Sequence, residues 1–149
     1  QERSAATAEK ILRRLHAETR LITEVTELIK IHDIRFQATV EMATRWAGRW
    51  GEKRFLQFTE LRRADTLGQA HPGEAEPYYR ALRAAYDEAK RQNACFTVRQ
   101  LAISGDDLTA IGLSGPAVGE TLRRLLRLVQ GGTLPNERAA LLAAARQQK

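Results

Sequence analysis

Cysteine, methionine, aromatic residues and long apolar runs are all scarce in this chain. A single cysteine, Cys95, among 149 residues excludes an internal disulfide framework. The longest apolar run, Ala139 to Ala145, is far short of the ~20 residues that a membrane-spanning helix needs, and no secretory leader is recognisable. There is no Gly-rich loop ahead of a Lys-Ser/Thr pair, no nucleophile elbow, no paired-cysteine zinc pattern and no Asp-x-Asp. No catalytic centre is therefore visible. Sustained two-residue alternation of β-branched residues is also missing, which excludes a sheet and leaves an all-α fold.

What the chain does have is positive charge and helical periodicity. Its 24 Lys+Arg against 18 Asp+Glu leave a net charge of +6, and 19 of the 24 basic residues are arginine, whose planar fork pairs well with phosphate. An apolar fraction of 43% is too high for a disordered chain. The expectation is a helical protein in a reducing, cytoplasmic setting with a polyanionic partner and no membrane. Cut at Val98/Arg99, the sequence carries +3 on either side, so the short C-terminal part is the more basic per residue.

Apolar spacing predicts helices over Ser4–Leu15, Thr19–Asp33, Thr39–Trp50, Glu52–Gln69 and Tyr78–Asn93. Gly51 is a good terminator for the third helix, whose inward face reads Ala43, Trp46, Ala47, Trp50. The fourth carries a stripe of Phe55, Phe58, Leu61 and Leu67. The Pro- and Gly-containing stretch His71–Pro77 reads as a loop. Shorter helices follow over Thr97–Ala102, Gly105–Ile111, Pro116–Val129 and Asn136–Gln147. Thr97 with Gln100 and Ser104 with Asp107 have capping-box spacing, and Asn136 is a candidate cap for the last helix. Because the first helix begins with no lead-in and Gln1 stands where Met would, the chain reads as a fragment.

Two constellations stand out chemically. In Ile111-Gly-Leu-Ser-Gly-Pro-Ala-Val-Gly119, Gly112 can end one helix left-handed and Gly115-Pro116 can start the next, a helix-hairpin-helix pattern. Backbone N–H groups around Ser114 to Val118 then sit at the positive end of a helix dipole, where a phosphate is welcome, and Gly119 permits close approach. On the helix that follows, Val118, Leu122, Leu125, Leu126 and Val129 share one face while Arg123, Arg124 and Arg127 point roughly opposite, into water. The same residues would also serve as ordinary caps and an ordinary solvated face. The second constellation is His32-Asp33 with Asp65, residue types that hold divalent ions in HD-type phosphohydrolases but that also make plain buried hydrogen-bonded pairs. Tyr78 and Tyr79 are candidates for stacking on bases, whereas most other aromatic residues fall on core faces.

The stretch Asn-Ala-Cys-Phe-Thr-Val-Arg-Gln-Leu-Ala-Ile-Ser-Gly-Asp-Asp-Leu from Asn93, then Ile111 to Gly119, then Gly-Gly-Thr-Leu-Pro-Asn-Glu from Gly131 resembles the C-terminal region of bacterial CCA-adding tRNA nucleotidyltransferases and related poly(A) polymerases. Upstream, Ala8 to Leu15, Ile29 to Asp33 and Leu61 to Gln69 resemble the HD-related helical segment that precedes that tail. The resemblance implies an HD-related body over 1–95 and a helical RNA-binding tail over 96–149. It implies tRNA as partner, with the acceptor arm and elbow clamped through the backbone by Ser114, Gly115, Gly119, Arg123, Arg124 and Arg127. It also implies that catalysis, with Mg²⁺ and CTP or ATP, belongs to an N-terminal head and neck lying before Gln1. No catalytic residue or cofactor is expected in this chain, and metal binding at His32, Asp33 and Asp65 is the weaker alternative. An HD-type phosphohydrolase fragment and a duplex-DNA helix-hairpin-helix module are the rival functions.

Overall fold

The computed structural model describes residues 2–68, 73 and 75–147. Among them every regular element is helical: α1 (Glu2–Arg14), α2 (Thr19–Ile31), α3 (Val40–Trp50), α4 (Glu52–Leu67), α5 (Ala75–Arg91), a 3-10 turn (Val98–Gln100), α6 (Gly105–Ala110), α7 (Pro116–Gln130) and α8 (Arg138–Arg146). The all-α expectation holds. None of these helices is long and apolar enough to cross a membrane.

The chain forms two compact units. One takes residues 1–38 and 52–83, the other 39–51 and 84–149, so α5 contributes to both. This partition by contact differs from a 1–95/96–149 division, because α3 and the end of α5 associate with the tail.

In the first unit α1 packs antiparallel on α2 and α2 packs on α4. Ala5, Ile22, Phe55, Phe58 and Leu82 are buried, with Phe36 stacked on Phe58 at 5.7 Å between centroids. At the α1–α2 turn, His16 takes a positive φ of 54° while its N–H bonds Arg13 O and that of Ala17 bonds Leu12 O. This is the paired closure that normally falls to glycine. Ile11, Leu15 and Leu21, three positions of the expected apolar faces, remain well exposed around it, and Leu67 at the end of the α4 stripe is likewise exposed.

The second unit is built on Cys95, Leu101, Ile103, Leu108, Leu125, Leu141 and Ala145, with Val118, Leu122, Leu126 and Val129 of α7 packed against them. The apolar face of α7 lies where the spacing put it. Helix α3 approaches so closely that a Cβ on Gly48 would lie 1.9 Å from Phe96 O. Gln130 Nε2 donates to Cys95 O at 3.1 Å and to Phe96 O at 3.3 Å, fastening the same strip of backbone. Cys95 itself is buried, and burial pushes its thiol pKa up, as befits a small core residue.

Four local expectations need correction. Thr97–Ala102 is not a helix beyond the short 3-10 turn, although the Thr97/Gln100 capping box is present. The reason is tertiary: Leu101 and Ile103, two residues apart, both enter the core, which an extended backbone allows and a helix does not. Asn136 does not cap α8, whose N-cap is Glu137 with no side-chain bond. Its amide instead accepts from Ala102 N at 2.9 Å and donates to Gln100 O at 2.8 Å. Trp46 and Trp50 are half-buried rather than core, their rings tilted at 34° to each other with centroids 4.6 Å apart. Finally, residues 75–77 of the expected loop already form the first turn of α5, where proline's missing N–H removes no helical bond. His71 and Gln69 lie outside the described residues.

Candidate nucleic-acid interface

The turn between α6 and α7 is assembled by backbone rules. Gly112, at φ 90°, donates its N–H to Thr109 O at 2.9 Å, and Leu113 N donates to Leu108 O at 3.1 Å. This double closure ends α6 and drives Leu113 against the core beside Leu108. The Ser104/Asp107 capping box starts α6, and Arg138 pairs with the same carboxylate. Those bonds hold the Asp107 carboxyl below its usual pKa, the Ser104 N–H contributing most.

Gly115 is the N-cap of α7 at φ 58° and ψ −138°, and Pro116 takes the first helical position. A side chain at 115 would be strained by that φ, yet a Cβ there would meet nothing within 4 Å, so the turn faces open space. Ser114, Gly115 and Pro116 are all exposed. Proline lacks an N–H, and the next N–H groups, on Ala117 and Val118, precede the first intrahelical bonds. Val118 N makes a turn bond to Gly115 O at 3.3 Å.

The three arginines of α7 have different fates. Arg123 is exposed, and its guanidinium folds back over Gly119, with Nη2 3.7 Å from where a Cβ on Gly119 would be. Side chains on a helix lean toward its N-terminus, which carries this charge toward the open turn. Arg127 is exposed as well, and neither it nor Arg123 has an ion-pair or hydrogen-bond partner among the described residues. Arg124 is not in water as expected. It is half-buried and its Nη2 donates to Ala144 O at 3.1 Å, satisfying a carbonyl near the end of α8. The charge beside the turn is thus that of Arg123, while Arg127 stands free in the last turn of α7.

One basic residue escaped the reading of the sequence. Arg99, exposed on the 3-10 turn, borders a groove of about 540 Å³ with Leu101, Ile103, Ser104 and Leu122. Its distance in sequence from Leu122 of α7 hid the groove that the two residues share in the second unit.

The sequence matches the family model for tRNA nucleotidyltransferase domain 2 over residues 2–145. The chain belongs to the tRNA nucleotidyltransferase domain 2 family. No curated protein and no solved structure matches it. Membership makes tRNA processing and transfer to tRNA the setting of this domain, as the resemblance implied.

The second constellation does not gather. His32 Nδ1 lies 2.6 Å from Ile29 O and its Nε2 3.2 Å from Asp33 Oδ1, while Asp65 Oδ2 stands 3.6 Å from Arg62 Nη1. Arg62 also donates to His32 O at 3.3 Å. The aspartate thus faces a cation. Among the described residues no three His, Cys, Asp or Glu side chains come together as a metal ion requires. Tyr78 and Tyr79 are also engaged internally. Tyr78 OH donates to Phe36 O at 3.0 Å, and Tyr79 OH donates to Glu60 under the Arg63 guanidinium. Burial raises the Tyr78 pKa, and the Glu60 bond raises that of Tyr79.

Proposed function

We propose that this domain binds tRNA through its phosphate backbone, clamping the acceptor arm and elbow so that the 3′ end is presented to a nucleotidyltransferase active site carried outside the described residues. Phosphate contacts fix register without reading bases, and a duplex arm is recognised by its shape. The observation that carries the reading is the open Gly115 turn with the unpaired Arg123 guanidinium folded toward it over Gly119. Ser114, Gly115 and Gly119 would offer backbone to a phosphate, while Arg123 and Arg127 pair with its neighbours. Arg124 acts in this reading as a support for α8 rather than as a contact. Parent enzymes adding CCA or a poly(A) tail, with Mg²⁺ and CTP or ATP in a separate head, both fit such a role.

The test is filter binding of a tRNA to this chain across a salt series. The Arg123→Ala, Arg127→Ala double variant should lose affinity and lower the salt slope by about two phosphate contacts' worth, roughly 0.7–0.9 per contact. An unchanged slope sinks the reading. A DNA duplex of equal charge that competes as well as tRNA would favour a helix-hairpin-helix DNA module instead.

A further inference from the structure

The first unit holds a basic cleft that the tail reading does not use. It lies between the non-helical residues 34–38, α4 and the start of α5, has a volume of about 180 Å³, and is lined by Arg35, Phe36, Arg62, Thr66 and Tyr78. That is below the about 300 Å³ at which pockets begin to suit drug-sized molecules, but it is ample for a single tetrahedral anion.

Its two cations are under-used. Arg35 is exposed with no ion-pair or hydrogen-bond partner among the described residues. Arg62 is only 12% exposed, and its Nε is buried with no hydrogen-bond partner there. Its Nη1 is shared between His32 O at 3.3 Å and Asp65 Oδ2 at 3.6 Å, neither a close charge-assisted bond. A buried guanidinium left short of acceptors is costly, and a cleft wall is where an outside acceptor can supply them. Elsewhere on α4 the basic side chains are well paired: Lys53 with Glu24, Arg54 with Glu27, and Arg63 with Glu76. The aromatic walls are fixed, since Phe36 stacks on Phe58 and Tyr78 OH is tied to Phe36 O. Thr66 spends its hydroxyl on Arg62 O at 2.9 Å, which holds the helix carrying that arginine. Asp65 faces Arg62, and among the described residues no acid pairs with Arg35.

We propose that this cleft is a phosphate-binding site in which Arg35 and Arg62 together pair with the oxygens of one phosphate group against the Phe36 and Tyr78 rings. The phosphate is that of an RNA strand or a free phosphate ion. The RNA arm rests on the tail reading; the free-ion arm does not.

The experiment follows the arginine Nε–H signals of the ¹⁵N-labelled chain by NMR while inorganic phosphate replaces chloride at constant ionic strength. Arg35 and Arg62 signals should shift and saturate while that of Arg13, already paired with Glu9 on an exposed helix face, stays put. In Arg35→Gln the Arg62 signal should need about tenfold more phosphate, the loss of one charge-assisted bond. Small, unsaturated shifts of equal size at every arginine would overturn the site. The salt slope of tRNA binding then separates the sources. A slope lowered by about one contact in Arg35→Gln assigns the site to an RNA phosphate, and an unchanged slope with saturable phosphate assigns it to the free ion. If the α7 variants lower the slope while phosphate leaves Arg35 and Arg62 unmoved, this proposal fails and the tail reading stands.

Discussion

Helices α4 and α7 are both rich in arginine, and the structure treats them oppositely. On α4, Lys53, Arg54 and Arg63 each meet a glutamate, and Arg62 meets an aspartate at longer range. Exposed pairs of this kind contribute little stability, ~0–1 kcal/mol each, but they cancel the field that a polyanion would feel. On α7, Arg123 and Arg127 meet no acid among the described residues, and Arg124 is consumed by a carbonyl of α8. Equal net charge on the two parts of the sequence therefore conceals unequal availability. On the proposed reading, a phosphate backbone would be drawn to the unpaired Arg123 charge held beside the Gly115 turn.

The severest way to break that contrast is to unseat the second unit. Gly48→Ala would ordinarily favour a helix by about 1 kcal/mol, but here the new Cβ meets Phe96 O at 1.9 Å. The clash wins, and a loss upward of about 3 kcal/mol in denaturant unfolding is expected. A variant as stable as wild type would mean that α3 does not pack as described. Next comes the contrast itself. Lys53→Ala, Arg54→Ala removes two charges, as Arg123→Ala, Arg127→Ala does, yet only the α7 pair should flatten the salt dependence of tRNA binding by about two contacts. Equal effects from both pairs would show that overall charge, rather than its pairing, sets affinity.

Arg124→Ala sharpens the division within α7. It should lower stability by about 1 kcal/mol through the lost bond to Ala144 O and leave the salt slope of tRNA binding alone. A reduced slope with unchanged thermal stability would return Arg124 to the interface. The smallest effect concerns acid. Because the Asp107 carboxyl is held below its unfolded value of about 3.9, its support of α6 is complete above that pH and is lost as pH falls through the lower folded value. Thermal melts from pH 5 down to 2.5 should therefore converge for wild type and Asp107→Asn. Parallel melting curves over that range would discount the Ser104 and Arg138 bonds.

Much of this was legible without coordinates because it depends on neighbours in sequence. Helix periodicity placed the buried face of α7, Gly112 marked the end of α6, Gly115-Pro116 marked the start of α7, and the capping boxes at Thr97 and Ser104 formed as spaced. Local rules misled where a distant partner intervened. Asn136 had the position of a cap but bonds the backbone of Gln100 and Ala102, some 35 residues away. His16 and Asn93 occupy left-handed positions that sequence rules reserve chiefly for glycine. Asp65 had the residue type of a metal ligand and found Arg62 instead.

By itself, the sequence determined the all-helical class, the turn chemistry of the α6–α7 connection and the family, since backbone preference and apolar spacing act over a few residues. Only the tertiary structure decided which arginines are free. An ion pair or a carbonyl bond forms between side chains brought together by packing, and no spacing rule along the chain records that Arg54 meets Glu27, that Arg124 meets Ala144, or that Arg35 and Arg62 share one cleft.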